Sequence, residues 1–204
     1  ALRWFTPGVE VALCGHATLA SGHVVLSSDP TRERVRFSTR QAGVLEVARD
    51  AEGYRMALPA WAPHPRPLPE VVAALGVEAV ETLWHEKEYV LVTVADEATV
   101  RACRPDFATL AKLGPLVAIV AAQGSDTDLV SRVFVPAFGI DEDPVTGSAH
   151  AVMVPYWAEK LGRSEMTAFQ ASARGGRLTC RLDGDRVLLG GTCVTVIEGS
   201  FLLP

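Results

Sequence analysis

The sequence predicts an α+β fold of two similar lobes that face each other, and two observations lead to this prediction. Segments with the alternation typical of strands are interspersed with a few short helical segments. In addition, three pairs of similar segments occur in the same order along the chain. The pairs are residues 3–7 and 132–136, residues 14–20 and 145–151, and residues 41–47 and 174–180. Their shared residues lie 129, 132 and 133 positions apart, so the second half repeats the first with only small gaps.

The first lobe is predicted to contain four strands and one helix. The strands are residues 3–6, 34–39, 43–49 and 53–58, and the helix runs over residues 15–27. Residues 59–69 then hold five prolines, which exclude a regular helix or a central strand. We therefore expect a stiff, extended connector, and we assign residues 1–69 to the first lobe and this connector.

The second lobe, residues 70–204, is predicted to contain eight strands and three helices. The helices are residues 69–75, 106–113 and 147–161, and the strands are residues 80–85, 88–94, 116–121, 130–135, 168–172, 177–182, 185–189 and 192–197. Gly76 and Gly162 end two of the helices, and Pro155 predicts a bend in the longest one. Asp183-Gly184 predicts a type I′ hairpin turn, and the last strand is a candidate to return to the first lobe.

The composition excludes several classes of function. The net charge is −5 and the basic residues are scattered, which argues against a nucleic-acid partner. No apolar run of about 18 residues predicts a membrane span, and no signal peptide is expected. The four cysteines are far apart and form no C-x-x-C pair, so neither a zinc site nor a disulfide framework is expected. Reduced thiols in a cytoplasmic protein are the expected state.

Two predicted helix starts, at Gly15 and Gly147, occupy equivalent places in the two halves. A cleft between the lobes would bring both starts to one substrate. The exposed backbone N–H groups and the helix dipole favour an anion at each start. A glycine there allows the backbone to approach a ligand closely. The repeat therefore predicts a cleft that binds a small carboxylate.

Three acidic residues, 141–143, precede the second helix start, and Pro144 fixes the backbone directly after Asp143. A carboxylate held at a cleft is well placed for proton transfer, but acids in the first turn also cap a helix and complement its dipole. His16 fits an acid, a base, a hydrogen-bond donor to substrate or a structural residue. Cys14 fits either a reactive thiol at a helix start or a small buried residue.

Six segments of the chain resemble the PhzF family of phenazine-biosynthesis-like isomerases. They are residues 3–7 (RWFTP), 10–11 (EV), 13–20 (LCGHATLA), 141–150 (DEDPVTGSAH), 155–157 (PYW) and 170–176 (QASARGG). The resemblance implies the diaminopimelate-epimerase-like fold, in which each lobe is a strand barrel or sheet around a central helix. It also implies an isomerase that moves a proton on a small acidic metabolite bound between the lobes, without a metal or an organic cofactor. The resemblance is compatible with a homodimer but does not require one.

The resemblance also implies which residues form the site. An Asp, a His and a Ser line the site in the family, and the residues that match them here are Asp143, His16 and Ser148. We therefore expect these three residues to be catalytic. Those expected to bind substrate at the two helix starts are Gly15, Ala17, Thr146 and Gly147. Ser148 and His150 do not form a serine-hydrolase pair, because no G-x-S-x-G elbow surrounds the serine.

One family feature has no counterpart in the 204 residues. The family's main acid/base is a glutamate in an Asn-Leu-Ser-Glu-like motif upstream of the RWFTP strand, and no such motif occurs here. We expect the first lobe to lack its N-terminal part and the activity of this chain to be low as a result. Two alternatives stay open. One is a cysteine-dependent racemase or epimerase of the same fold, and the other is a non-catalytic protein that binds a small molecule.

Overall fold

The computed structural model describes residues 1–5, 10–11, 13–51 and 53–200. The strands are β1 Trp4–Phe5, β2 Glu10–Val11, β3 Arg34–Ser38, β4 Val44–Asp50, β5 Gly53–Pro59, β6 His64–Pro65, β7 Glu81–His85, β8 Tyr89–Thr93, β9 Val117–Gln123, β10 Leu129–Val135, β11 Ile140–Glu142, β12 Glu165–Gln170, β13 Gly176–Asp183 and β14 Arg186–Gly191. The helices are α1 Gly15–Ser27, α2 Pro69–Leu75, α3 Glu97–Ala102, α4 Phe107–Lys112 and α5 Gly147–Leu161. None of the described helices is long and apolar enough to cross a membrane.

Twelve of these strands form one mixed sheet that runs through both halves of the chain. Its order is β3-β4-β5-β14-β13-β12-β10-β9-β8-β7-β6, and β11 pairs with β10 beside this path. The pairs β10–β12 and β8–β9 are parallel, and the remaining pairs are antiparallel. The strand that joins the halves is β14, because it pairs with β5 of the first lobe on one side and with β13 on the other. The lobe boundary at residues 69 and 70 stays a prediction.

The two long helices pack against the sheet from the side of its larger core. Helix α1 packs on β3, β4 and β5, whereas α5 packs on β5, β8, β13 and β14. The shorter helices α2, α3 and α4 contribute to a second apolar cluster with residues of β8, β9 and β10. Strand β9 is therefore covered on both faces, and its first six residues are all buried. This explains its continuous apolar sequence, which is typical of a strand buried on both sides.

Several predicted elements are confirmed and three are corrected. The helix bounds 15–27, 69–75 and 147–161 agree with α1, α2 and α5. Helix α3 was not predicted, because six residues are too few to show a helical period. Residues 192–197 form no strand and leave Val194 80% and Val196 85% exposed. Their β-branched sequence favours a strand, but no described strand pairs with them.

The hairpin between β13 and β14 differs from the predicted turn type. Its two central residues are Gly184 and Asp185, because Asp183 and Arg186 form the last pair of the ladder. A type I′ turn needs a positive φ at both central residues, but of the two only Gly184 has one, at 58°. The turn is therefore of the II′ kind, shifted by one residue from the prediction.

Pro155 lies inside α5 and determines how the connector docks. Proline has no N–H, so the carbonyl of Ala151, four residues earlier, loses its helical partner. The backbone N–H of Trp61 donates to this carbonyl at 2.9 Å. The proline thus provides the acceptor that fixes the connector against α5. The predicted bend at Pro155 stays a prediction.

We predict that Gly22→Ala destabilises the protein by about 1–3 kcal/mol, because it overpacks the contact between α1 and β4. A Cβ at Gly22 would lie 2.5 Å from Cγ1 of Val47, whose side chain is fully buried. The free energy of unfolding is measured in urea for Gly22→Ala in the wild type and in the Val47→Gly background, which removes both the Cγ atoms of Val47 and its Cβ, an atom that would lie 2.7 Å from the new methyl group. There the alanine should be neutral or stabilising, since alanine favours a helix by up to about 1 kcal/mol over glycine. An equal loss in both backgrounds would contradict the steric explanation.

Candidate active site

The starts of α1 and α5 meet in the structure. A Cβ built on Gly15 would lie 3.3 Å from Cα of Gly147, and one on Gly147 would lie 3.5 Å from Cα of Gly15. The two glycines therefore allow a closer approach of the helix starts than larger residues would permit. This juxtaposition brings the two segments of the repeat to one place, as the repeat predicted.

Neither helix start is capped by a side chain. The N-cap residues are Cys14 for α1 and Thr146 for α5, and neither side chain bonds to a first-turn N–H. No acidic residue lies in the first turn of either helix. The first N–H groups of a helix have no intrahelical partner, so both ends present donors to whatever lies between them. The capping alternative for the acidic segment is therefore not the arrangement that the structure shows.

The three neighbouring acidic residues have different surroundings. Glu142 forms a two-point ion pair with Arg132, with distances of 2.7 and 2.9 Å. Asp141 is exposed, whereas Asp143 is half-buried and its carboxylate accepts a hydrogen bond from the Thr146 hydroxyl. The negative charge of Asp143 also contributes to raising the pKa of His16. Of the three carboxylates, Asp143 is thus the one that lies at the helix starts.

The turn that carries Asp143, residues 143–146, has all four of its carbonyl groups bound by side chains. Nε2 of Gln170 donates to the carbonyl of residue 143 at 2.6 Å, and Oγ of Ser172 donates to that of residue 144 at 2.8 Å. Nδ1 of His16 donates to the carbonyl of residue 145 at 3.1 Å, and Nδ1 of His150 donates to that of residue 146 at 2.8 Å. These donors come from β12, the segment after it, α1 and α5. We call residues 143–146 the acidic turn. Its position is fixed by contacts from both halves of the chain.

His16 links the two lobes through this turn. Its Nδ1 donates to the carbonyl of Val145, so in the neutral ring Nε2 is the free acceptor. Nε2 lies 3.5 Å from Sγ of Cys14. The hydrogen bond to Cys14 is the main cause that raises the pKa of His16, and burial opposes it. An edge of the imidazole is exposed, so His16 can reach a ligand placed between the helix starts.

Comparison with known proteins identifies the family. The model of the PhzC-PhzF family, described as phenazine biosynthesis-like protein, matches residues 1–199. The chain belongs to this family. An uncharacterised isomerase of Pseudomonas aeruginosa is 49% identical over 99% of this chain and 77% of the relative. A phenazine biosynthesis-like domain-containing protein of Homo sapiens is 35% identical over 98% of this chain and 76% of the relative.

Solved structures of PhzF proteins have the same fold. A PhzF family protein of Enterococcus faecalis has a TM-score of 0.90 with 41% identity, over 98% of this chain and 77% of that chain. A protein of Pseudomonas aeruginosa described as a predicted epimerase is 17% identical, with a TM-score of 0.68 over 93% of this chain and 74% of that chain. The second likeness concerns the fold alone. Together they confirm the predicted α+β fold of the PhzF and epimerase type.

Two residues at this PhzF site were not predicted from the sequence. Tyr89 starts β8, and its pKa is raised mainly by burial, while the Ser148 hydroxyl acts to lower it. Nothing in a five-residue strand distinguishes this tyrosine from a core residue. Gln170 ends β12 and is fully buried. The alternation of buried Met166 and Ala168 places residue 170 on the same face, so a buried amide was recognisable there.

The residues expected to bind substrate lie at the two helix starts, but the backbone N–H of Thr146 has a partner within the protein. Its amide N–H donates to Oε1 of Gln170 at 2.7 Å, so this group is already bound. Gly147 and Gly15 are buried at the helix starts, and Ala17 lies in the first turn of α1. No cluster of three or more metal-ligating side chains occurs among the described residues.

Two cavities of about 360 and 310 Å³ lie away from this site. They share Asp50, Thr167, Thr179 and Gly190, which belong to strands β4, β12, β13 and β14. The arginines of the larger cavity are already ion-paired, Arg55 with Asp50 and Arg163 with Asp128 among them. We place the chemistry at the helix starts, because two uncapped helix starts and His16 converge there, whereas the arginines of the larger cavity are already ion-paired.

We predict that His150 makes the stability of the protein fall in acid. Burial lowers the pKa of this fully buried imidazole from 6.5 to about 4. The neutral ring therefore stabilises the folded state fully above pH 6.5, and this contribution is lost as the pH falls towards about 4. Over this window the wild type should lose up to about 3 kcal/mol relative to His150→Asn, which keeps a donor for the Thr146 carbonyl.

The free energy of unfolding of both proteins is measured in urea at several pH values across this window. His64→Asn serves as the matched control, because His64 is exposed. Its curve should run parallel to that of the wild type. Parallel curves for the wild type and His150→Asn would contradict the assignment of the acid sensitivity to His150.

Proposed function

We propose that this protein is a PhzF-type isomerase that moves a proton on a small carboxylate-bearing metabolite bound between the starts of α1 and α5. The observation that carries the proposal is the convergence of Asp143, His16 and Ser148 at two uncapped helix starts. The names of the relatives support it, since those of Pseudomonas aeruginosa are called isomerases.

Substrate binding is assigned to the backbone of the two helix starts. The first-turn N–H groups at Gly15–Ala17 and from Gly147 onward have no capping side chain, and in this proposal they bind the carboxylate of the substrate. The same donors would stabilise negative charge that develops on the substrate when a proton is removed. Thr146 has a different role in this proposal, because its N–H is bound by Gln170. It acts through its hydroxyl group, which holds the carboxylate of Asp143.

Proton transfer is assigned to Asp143, which accepts a proton from one atom of the substrate or donates it to another. Asp143 is assigned this role because its half-buried carboxylate lies at the helix starts, whereas the carboxylate of Glu142 is ion-paired with Arg132. His16 and Ser148 are assigned to hydrogen-bond the substrate. His16 uses Nε2 for this, in place of its contact with Cys14, since its Nδ1 is bound to Val145. Ser148 lies in the first turn of α5, next to Tyr89.

A thiol-dependent racemase or epimerase is the second candidate, and the contact between Cys14 and His16 favours it. The Sγ atom lies 3.5 Å from an imidazole nitrogen that can accept its proton. A two-base thiol mechanism needs a second thiol on the opposite side of the substrate. No cysteine occurs in residues 141–150, and burial raises the pKa of Cys180 to about 12. We therefore rank the thiol mechanism below proton transfer by Asp143.

We predict that Asp143→Asn lowers the rate constant of proton exchange by about 10²–10⁴-fold, because a positioned acid/base contributes a factor of this size. The Michaelis constant should change little, since the group acts mainly in the transition state. The measurement is solvent deuterium incorporation into a panel of small unsaturated and cyclic carboxylic acids. The wild type and the Asp143→Asn variant are measured side by side.

Cys14→Ser is the matched variant for the thiol candidate, since it replaces one polar atom at the opposite helix start. We expect it to keep the rate within about tenfold, or 1.4 kcal/mol in the barrier. A loss of several orders of magnitude in a folded Cys14→Ser protein would support the thiol mechanism instead. If wild type binds the acids but exchanges no proton with any of them, the non-catalytic alternative is the better description.

A further inference from the structure

Asp143 needs a fixed direction if it is to transfer a proton, and the acidic turn shows what fixes it. We propose that Gln170 is a positioning residue that orients the carboxylate of Asp143 by holding Thr146. The inference rests on the proposed function of Asp143. It concerns a residue that touches neither the reacting atoms nor the space between the helix starts.

The amide group of Gln170 spans the acidic turn from end to end. Its Oε1 accepts from the N–H of Thr146 at 2.7 Å, and its Nε2 donates to the carbonyl of Asp143 at 2.6 Å. The side chain is fully buried, so water cannot replace it in either contact. A group at this place must supply one donor and one acceptor a fixed distance apart, which a glutamine amide does and an apolar side chain does not.

A third contact of Gln170 determines the direction of a proton. Nε2 also lies 3.2 Å from Oγ1 of Thr146 and donates to this oxygen. The Thr146 hydroxyl has a single hydrogen, and its oxygen already accepts a hydrogen bond from Nε2 of Gln170. The hydrogen therefore points the other way, to Oδ2 of Asp143. In this manner Gln170 fixes the rotation of the hydroxyl and, through it, the orientation of the carboxylate.

The remaining contacts of the acidic turn keep it in place when Gln170 is replaced. Ser172 holds the carbonyl of Pro144, and its Oγ accepts from the N–H of Gly175 at 3.1 Å. His150 and His16 hold the last two carbonyls. A variant at position 170 should therefore fold, with the carboxylate of Asp143 free to rotate. This separates a positioning role from a purely structural one.

The first test is Gln170→Met, which keeps the length of the side chain and removes its donor and acceptor. We expect the rate constant of deuterium exchange into the best acid of the panel to fall by about 10²-fold, as a small misplacement of a reacting group does. The Michaelis constant should stay within about twofold of the wild type. Gln123→Met, the same change at an exposed strand end, should have no effect. A raised Michaelis constant with an unchanged rate would overturn the proposal.

The second test is Gln170→Glu, which gives a readout that a packing role would not move. A neutral carboxylic acid offers one donor and one acceptor, whereas a carboxylate offers acceptors only. Burial raises the pKa of a carboxyl group, so the neutral form is present in mild acid. The activity relative to the wild type should therefore rise as the pH falls. The activity is expressed as a ratio to the wild type because Asp143, His16 and His150 lie at the same turn in both proteins. A ratio independent of pH would contradict the donor role.

The third test does not depend on activity and uses amide hydrogen exchange of Thr146. In the wild type this N–H is bound to Gln170, and in Gln170→Met its exchange should be at least about tenfold faster, the value of one lost hydrogen bond. If the wild type exchanges deuterium into no acid, the proposed function fails while this measurement still reports on Gln170. If Thr146 exchange is the same in both proteins, the positioning role is wrong whatever the activity.

Discussion

The acidic turn at residues 143–146 is the constraint on which the rest of the site depends. Each of its four carbonyl groups accepts a hydrogen bond from a side chain, and the donors come from both halves of the chain. A buried carbonyl without a partner costs about 1–3 kcal/mol, so these contacts determine one conformation of the turn. His16 supplies the only one of the four donors that belongs to the first lobe. The position of Asp143 is thus coupled to the position of α1.

The approach of the two helix starts follows from the same constraint. The bond from His16 to Val145 places the start of α1 beside the start of α5, and glycines at positions 15 and 147 let the backbones come close. Strand β14 supports this arrangement, because it pairs with strands of both halves of the chain. The side chain of its Leu189 also lies close to Gly147. A continuous sheet therefore carries both helices.

Most of the fold could be predicted from the sequence, because repeated segments and glycine or proline signals mark its elements directly. The bounds of α1, α2 and α5 followed from Gly15, Gly76 and Gly162, which start or end helices. The strand predicted at residues 192–197 failed because a β-branched sequence does not itself provide a neighbour to pair with. The acidic residues 141–143 were recognisable in the sequence, but the sequence did not show which of the three carboxylates lies at the site. Only the fold shows that Arg132 neutralises Glu142 and leaves Asp143 at the helix starts.

The central claim is that one acid molecule contacts both helix starts at once. The most direct measurement is a titration of the protein with benzoate, followed by the backbone amide resonances of residues 15–17 and 147–149. We expect both sets to shift together with one common dissociation constant, and Gly147→Val to weaken this binding for both sets. Shifts confined to one helix start, or shifts in the cavity around Asp50 and Thr167 instead, would contradict it.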